Sequence, residues 1–228
     1  MSVIQAPARS GVEAIRVMIV DDHPVVREGL RAMLNTPGID VVAEARDGDE
    51  ALRNALELKP DVVLMDVKMP GADGLEVAAA LKELAPETSV IVVTSYDDRE
   101  YVRRAIECGA SGYLVKGASR EALIQAVKLV REGESLISAG LLAELSGQTN
   151  EGDPRPGQRD GLLDALNQRE LETLRFVAQG LTNKEIAARM HYSVGTVKNL
   201  VQRVIEKLAV SDRTQAAVCA VRAGIDIG

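Results

Sequence analysis

The sequence predicts an α/β fold: a doubly wound, five-stranded parallel sheet, followed by a second, smaller domain that is all-α. The first observation is that short apolar runs rich in β-branched residues alternate with segments of helical spacing from Ile15 to about Glu132. This alternation is typical of a parallel sheet with helices on both faces. The second observation is a change of period, because the chain beyond residue 161 has helical spacing throughout.

The first two strand-helix units follow from apolar runs and helix-start signals. Residues 17–20 are continuously apolar and predict the first strand. Pro24 suits the first position of the helix that follows, because its fixed φ and its missing N–H cost little there. Residues 41–45 predict the second strand, and residues 50–58 predict the second helix.

The remaining three units are delimited by helix-stop signals. Strands are predicted at residues 61–66, 90–94 and 112–116. The helices between them are predicted at residues 75–84, before Pro86, and at residues 99–108, where Gly109 ends the helix. Ser119 is a suitable N-cap for a last helix, whose apolar residues recur on one stripe.

Two capping boxes organise the predicted helical domain. Asn167 and Glu170 have the spacing at which each side chain caps the backbone N–H of the other, and so do Thr182 and Glu185. The starts of the next two helices are assigned to Ser193 and Ser211. Two short capped helices joined by a tight turn predict helix-turn-helix geometry.

Composition narrows the class of protein. The 228 residues include no Trp and one Phe, which argues against a binder that stacks single-stranded bases. No apolar stretch approaches the roughly 20 residues needed to span a bilayer, and residues 1–11 lack the apolar core of a signal peptide. Cys108 and Cys219 are far apart, which fits a reducing cytoplasm better than a disulfide framework. We therefore expect a cytoplasmic protein without membrane contact.

The charge is unevenly distributed along the chain. The net charge of −7 argues by itself against nucleic-acid binding, but the excess of acid lies in the first part. From residue 182 to residue 213 there are six basic and three acidic residues. Ordinary solvated helix faces would give a similar count, so the charge pattern is weak evidence for DNA binding.

Polar side chains stand at the downstream ends of four of the apolar runs. Asp21 and Asp22 follow the first run, and Asp66, Thr94 and Lys116 follow or end the others. Because the carboxyl ends of parallel strands meet at one edge of a sheet, we expect these groups to lie together. Any one of them alone would be an ordinary strand-end polar residue, but their joint arrangement indicates a metal-assisted phosphoryl site.

The residue types suit that chemistry. Asp22 and Asp66, oriented by Asp21, offer the hard oxygens that Mg²⁺ prefers, and the backbone carbonyl of Lys68 would complete the set. Asp66 is positioned to attack as a carboxylate nucleophile. Lys116 can pair with one phosphoryl oxygen, and the hydroxyl of Thr94 can donate to another.

Two alternative functions remain open on these residues. An aspartyl-phosphate hydrolase would share the nucleophile, but it would want a second acid soon after it, where this chain has Lys68, and it would need a cap domain. A phosphorylation-independent interaction protein would dock a partner on the first domain and keep a vestigial tail. Intact acids and intact capping boxes argue against the second alternative.

Specific motifs give the chain a resemblance to a known family. The first domain resembles the flavodoxin-like receiver domain of response regulators, and the second is similar to the LuxR-type helix-turn-helix. Together they resemble the NarL/FixJ class of two-component transcription factors. The matching segments are VDDH at 20–23, LMDVKMPGADG at 64–74, TS at 94–95, GYLVK at 112–116, LNQRE at 166–170, GLTNKEIA at 180–187, TVK at 196–198, KL at 207–208 and RT at 213–214.

This resemblance implies a phosphorylation switch and not a turnover enzyme, apart from transient phosphorylation and slow self-dephosphorylation. Asp66 would accept a phosphoryl group from a sensor histidine kinase, Thr94 would be drawn toward it, and Tyr113 would swing inward. Taken alone, Tyr113 would be a half-buried aromatic of a strand. The unphosphorylated receiver would cover the DNA-reading helix. The phosphorylated homodimer would bind promoter DNA, with RNA polymerase as a candidate further partner.

The second domain offers candidate DNA contacts. Lys198 and Asn199, with Gln202 next, are assigned to base edges, since Lys can bind guanine, and Asn or Gln adenine, in the major groove. The candidates for phosphate contacts are Thr182, Asn183, Lys184, Thr196, Arg203, Arg213 and Thr214.

A few positions depart from the family pattern. Leu200 stands where many members have His, and we expect it either to enter the core or to extend a dimer surface. Ala209 stands where many have Gly, and Lys68 could pair with the phosphoryl group. His23 and His191 are assigned to structural or solvated roles.

These patterns give four segments: a disordered leader at 1–14, a receiver domain at 15–135, a linker at 136–161, and a LuxR-type DNA-binding domain at 162–228.

Overall fold

The computed structural model describes residues 14–95, 99–134, 163, 165–210 and 212–225. The expected linker lies outside the described residues, as does all of the expected leader except Ala14. The bounds of the elements are β1 Ile15–Val20, α1 Pro24–Leu34, β2 Ile39–Ala45, α2 Gly48–Leu58, β3 Val62–Met65, β4 Lys68–Met69, β5 Ala72–Asp73, α3 Gly74–Leu84, β6 Ser89–Thr94, α4 Arg99–Glu107, β7 Gly112–Val115, α5 Arg120–Arg131, α6 Gln168–Ala178, α7 Asn183–Met190, α8 Val194–Leu208 and α9 Arg213–Arg222.

The five-stranded sheet has the order β2-β1-β3-β6-β7, and all of its neighbouring strands are parallel, which confirms the predicted fold class. Several predicted bounds are wrong by one or two residues. β2 begins at Ile39 instead of residue 41, and β3 excludes Asp61 and Asp66. Asp61 lies just before β3, and its carboxylate accepts a 2.8 Å hydrogen bond from the backbone N–H of Arg16.

Helices cover both faces of the sheet because alternate strand residues point to opposite sides. Along β1, Met18 and Val20 pack with residues of α2 and α3, whereas Val17 and Ile19 pack with α1 and α5. α4 lies on the same side as α3, where Ala105 packs with Val92. The result is a doubly wound domain with helices on both faces of the sheet.

A two-stranded hairpin that the sequence analysis missed follows β3. β4 pairs antiparallel with β5, and Pro70-Gly71 makes the turn. Gly71 has φ 79°, which together with Pro before it is the pattern of a type II turn. This hairpin returns the chain toward α3 directly after Asp66.

In the described part of the second domain, four helices pack around an apolar core, and both predicted capping boxes are confirmed. Glu170 of the first box is buried and also pairs with the ammonium of Lys207 at 2.6 Å. The N-cap of α9 is Asp212, which accepts from the N–H of Gln215, so the start assigned to Ser211 is one residue early. Ser211 itself lies outside the described residues.

Leu200 is buried, at 8% exposure, so of its two expected roles the structure favours the core.

Helix α4 of the first domain packs against the second domain. Val102 and Ile106 of α4 share an apolar cluster with Ile186, Val197 and Val201 of the second domain. Among the described residues, none of the helices combines the length and the apolar character that crossing a membrane requires.

Candidate functional site

The carboxyl edge of the sheet brings together the polar residues that follow its strands. Asp21 comes after β1 and Asp66 after β3, and these strands are neighbours. The ammonium of Lys116, after β7, lies 2.7 Å from Oδ2 of Asp21 and 2.9 Å from Oδ2 of Asp66. Thr94 ends β6, is buried, and accepts a 2.6 Å hydrogen bond on its carbonyl from the N–H of Lys116. The site predicted from strand ends is therefore assembled as one cluster.

Burial dominates the electrostatics of Asp66. Removal from water raises the pKa of its carboxyl, and the negative charge of Asp21 adds to that increase. The ammonium of Lys116 and the N–H of Val67, which donates to Oδ1 at 2.9 Å, lower the pKa without cancelling the effect of burial. Burial lowers the pKa of Lys116, but its hydrogen bonds to Asp21 and Asp66 outweigh this and raise the pKa overall. Lys116 therefore stays charged, while ionised Asp66 is destabilised.

The acidic cluster has the donor atoms that a hard cation needs. Ligand atoms of Asp21, Asp22, His23 and Asp66 lie within 4.8 Å of one another. Oδ2 of Asp21 and Oδ1 of Asp22 are buried, and each has a basic group as its close neighbour: the ammonium of Lys116 lies 2.7 Å from the first, and Nδ1 of His23 lies 2.6 Å from the second. Buried carboxylate oxygens that lie together favour positively charged neighbours, and a hard cation is one of them. The cluster is thus consistent with a metal site.

His23 belongs to this cluster, which the sequence analysis did not anticipate. Its Nδ1 lies 2.6 Å from Oδ1 of Asp22 and 3.3 Å from Oδ1 of Asp21, and its backbone N–H donates to Asp21. The signal was present, because His23 directly follows the two acids. Its side chain is 65% exposed, as the solvated role expected from the sequence requires.

Gly74 is a second residue that sequence reasoning missed. A Cβ on Gly74 would lie 1.8 Å from the carbonyl oxygen of Asp66, and the N–H of Gly74 donates to the carbonyl of Val67 at 2.7 Å. The chain therefore folds back against Asp66 so closely that only glycine fits. Lys68, whose carbonyl was assigned to the metal, lies on the hairpin opposite Asp73.

Tyr113 lies between the site and the second domain. It is half-buried on β7, next to the apolar cluster that contains Ala105 and Ala110. It also packs against the cluster in which α4 meets the helical domain. A change at Tyr113 would therefore reach both domains.

The predicted DNA contacts divide into three groups by exposure. The exposed members are Lys184, Thr196, Lys198, Asn199, Gln202 and Arg203. Thr182 is half-buried because it caps α7, where its hydroxyl accepts from the N–H of Glu185.

Asn183, Arg213 and Thr214 are buried, so this arrangement does not offer their side chains to DNA. The guanidinium of Arg213 donates to Oδ1 of Asn183 at 2.8 Å and lies 3.2 Å from Oε2 of Glu134, just beyond α5. The contacts of Asn183 and Arg213 with Glu134 of the first domain join residues far apart in the chain, which no local pattern in the sequence encodes.

Comparisons with known proteins agree with this two-domain geometry. Residues 17–128 match the family model described as the response regulator receiver domain, and residues 164–220 match the model for bacterial regulatory proteins of the luxR family. The transcriptional regulatory protein LnrK of Bacillus subtilis is 40% identical over 219 residues, covering 93% of this chain and 99% of the relative. The transcriptional regulatory protein LiaR of the same organism is 39% identical and covers 91% of this chain and 97% of the relative.

The chain belongs to the two-component response regulators with a LuxR-type DNA-binding domain. A crystal structure of a LuxR-family two-component response regulator from Aurantimonas sp. SI85-9A1 is 35% identical, with a TM-score of 0.54 over 60% of this chain and 98% of that chain. Like its relatives, this response regulator is a transcriptional regulator with a DNA-binding helix-turn-helix, and it is not an enzyme apart from phosphorylation of its receiver.

Proposed function

We propose that Mg²⁺-dependent phosphorylation of Asp66 by a sensor histidine kinase controls binding of a homodimer of this response regulator to promoter DNA. The observation that carries the proposal is the contact of Lys116 with both Asp21 and Asp66 at the ends of adjoining strands. Oδ2 of Asp21, which Lys116 contacts, and Oδ1 of Asp22 are buried carboxylate oxygens near Asp66. This grouping supports the proposal that nucleophile, cation ligands and counter-charge act together at one sheet edge.

The roles of the residues follow from their charges and donors. Asp21, Asp22, Asp66 and the backbone carbonyl of Lys68 would hold Mg²⁺, which supplies positive charge that offsets the charge of the phosphoryl group. A carboxylate oxygen of Asp66 forms the new P–O bond, while the P–N bond to the kinase histidine breaks. Lys116 then pairs with a phosphoryl oxygen.

Thr94 and Tyr113 would transmit the phosphorylation of Asp66 to the contact between the domains. The hydroxyl of Thr94 would donate to the phosphoryl group, and Tyr113 would follow it inward. Because Tyr113 packs against the cluster formed by α4 and the helical domain, its movement would alter the contact between the domains.

DNA binding is assigned to the exposed face of α8. Lys198, Asn199 and Gln202 would contact base edges in the major groove. Thr182, Asn183, Lys184, Thr196, Arg203, Arg213 and Thr214 would contact phosphates, and the buried members of this set would need the domains to separate first.

The remaining assignments follow from this function. We assign residues 15–135 to the receiver, 136–161 to the linker and 162–228 to the DNA-binding domain, preceded by a leader at 1–14. A two-fold dimer would match an inverted repeat whose half-sites are about one helical turn apart. We propose a cytoplasmic location, because the kinase domain and the chromosome are both reached there, and RNA polymerase as a further partner.

Asp66→Asn tests the phosphorylation site. With acetyl phosphate and Mg²⁺, the wild type should gain one phosphoryl group per chain by intact-mass spectrometry, and the variant none, because the nucleophilic oxygen is lost. Asp40→Asn, at an exposed position of β2, is the matched control and should be labelled like the wild type. Persistent labelling of Asp66→Asn would contradict the assignment of Asp66.

Lys198→Ala tests the DNA contacts, using a motif first selected from a random duplex pool. The variant should lose about 1–3 kcal/mol of binding free energy for the selected duplex and much less for random duplex, because base contacts specify sequence. Lys184→Ala is the control, which should weaken both duplexes alike. Equal losses for Lys198→Ala would make Lys198 a phosphate contact. Failure to enrich any duplex would favour the interaction-protein alternative.

A further inference from the structure

Glu134 makes an unusual buried contact with the DNA-binding domain. It lies three residues after the end of α5 and is 6% exposed. Oε1 accepts a 2.7 Å hydrogen bond from the backbone N–H of Asn183, and Oε2 lies 3.2 Å from the guanidinium of Arg213. Both carboxylate oxygens are therefore bound by groups of the second domain.

Glu134 accepts this hydrogen bond from a backbone N–H that has no acceptor within helix α7. Asn183 is the first residue of α7, and first-turn N–H groups have no acceptor within the helix. The capping box occupies the N–H of Thr182 and of Glu185. It leaves that of Asn183, to which Glu134 supplies the acceptor from a distance of 49 residues in the chain.

Arg213 adds a buried positive charge to the same position. It is 5% exposed, and its guanidinium also donates to Oδ1 of Asn183 and to the carbonyl of Leu181. Burial lowers the pKa of Arg213, and the charge of Glu134 counteracts this. A buried guanidinium without an anion is costly, so this position requires an acid or a substitute for one.

A helix-start N–H beside a guanidinium is a combination that binds a phosphodiester equally well. Asn183 and Arg213 are also among the phosphate contacts that the sequence predicts. By contrast, the side chains assigned to base edges, Lys198 and Asn199, are exposed in this structure. Glu134 of the first domain thus contacts the first turn of α7 and the guanidinium of Arg213, whereas the side chains proposed for base contacts stay exposed.

We propose that Glu134 occupies a phosphodiester-binding site of the helix-turn-helix domain, formed by the N–H of Asn183 and the guanidinium of Arg213, and competes with the DNA backbone for it. The inference rests on the proposed DNA contacts and extends them to a specific competitor within the chain. The site has one set of donors, so Glu134 and a DNA phosphate exclude each other. DNA can use it only after Glu134 has withdrawn.

Glu134→Gln tests the competition, with Glu132→Gln as the matched control. Glu132 is exposed, lies two residues away and carries the same charge, so both variants change the net charge equally. The probe is a fluorescent duplex of random sequence, bound by the unphosphorylated full chain at low salt. Glu134→Gln should bind at least about fivefold more tightly than the wild type, and Glu132→Gln within about twofold of it.

Two further measurements distinguish removal of a competing carboxylate from damage to the binding site itself. After activation with beryllofluoride and Mg²⁺, the wild type and Glu134→Gln should bind the duplex with equal affinity, because Glu134 has withdrawn in both; lower affinity of the variant would mean a damaged site and would overturn the inference. Without DNA, the backbone amide resonance of Asn183 should shift in Glu134→Gln and not in Glu132→Gln.

An equal effect of both variants on affinity, or no effect of either, would overturn the inference. An Asn183 amide that does not respond to Glu134→Gln would also overturn it. If the activated wild type fails to bind duplex while the Asn183 amide shifts as expected, the contact stands and the proposed DNA function fails instead.

Discussion

At the scale of single residues, Asp66, the proposed nucleophile, carries an unfavourable charge. Its folded pKa lies above the ordinary value, mainly because the carboxyl is buried. A carboxyl with a raised folded pKa stabilises the fold only when protonated, and that contribution is lost as the pH rises through the folded pKa. At neutral pH, the ionised side chain therefore costs stability, which a cation or a neutral replacement would relieve.

Asp66→Asn should accordingly raise the thermal midpoint of the metal-free protein, by about 2–4 °C for each 1 kcal/mol relieved. Lys116 keeps a partner in the variant, since its ammonium also contacts Asp21. Adding Mg²⁺ should raise the midpoint of the wild type and change that of the variant less, because a ligand is gone. Calorimetry with and without chelator measures both effects. A lower midpoint of metal-free Asp66→Asn would contradict the electrostatic account.

At the scale of elements, the conformation of the segment between β3 and α3 depends on the close approach of Gly74 to the backbone of Asp66 as well as on the pairing of β4 with β5. The hairpin of β4 and β5 turns at Pro70-Gly71, and α3 then starts at Gly74 beneath the carbonyl of Asp66. Asp73 caps α3 through the N–H of Leu75 and pairs with Arg104 of α4 at 2.5 Å. The residue that carries the site's chemistry is therefore held by its own downstream chain.

Gly74→Ala should destabilise the protein by about 1–3 kcal/mol, because the new methyl group would overlap the carbonyl oxygen of Asp66. Gly29→Ala is the control: Gly29 is exposed in α1, and its Cβ would meet nothing within 4 Å. That change should stabilise the protein by about 0.5–1 kcal/mol, since glycine is a poor helix former. Urea unfolding of both variants gives the comparison. Equal stability of Gly74→Ala and the wild type would refute the close-approach argument.

At the scale of the whole molecule, the two domains share one apolar cluster and several polar contacts. Val102 and Ile106 of α4 pack with residues of α7 and α8, and Lys82 of α3 pairs with Asp212 at 3.2 Å. Asp212 is also the N-cap of α9, so this ion pair joins the receiver to the start of a helix of the DNA-binding domain. Tyr113 adjoins the same cluster, which connects the phosphorylation site to the interface.

Activation should therefore separate the domains. Adding beryllofluoride with Mg²⁺ should increase the radius of gyration measured by small-angle X-ray scattering at a concentration where the chain stays monomeric. Asp66→Asn, with no nucleophile to bind the analogue, should show no increase. An unchanged radius of gyration of the wild type would mean that binding of beryllofluoride at Asp66 does not alter the apolar cluster shared by the two domains.

Sequence alone determined the features that depend on local pattern. Apolar periodicity fixed the five parallel strands and the class of the second domain, and both capping boxes were identified from residues three apart. Because parallel strands share one carboxyl edge, the grouping of Asp21, Asp66 and Lys116 also follows from the order of apolar runs in the sequence.

Only the tertiary structure decided which surfaces are covered. Glu134 binds Asn183 and Arg213, and Lys82 pairs with Asp212; both contacts join residues far apart in the chain. The tight fit at Gly74 likewise depends on where the hairpin returns the chain. Such contacts arise from the relative position of elements, whereas periodicity and capping signals describe one element at a time.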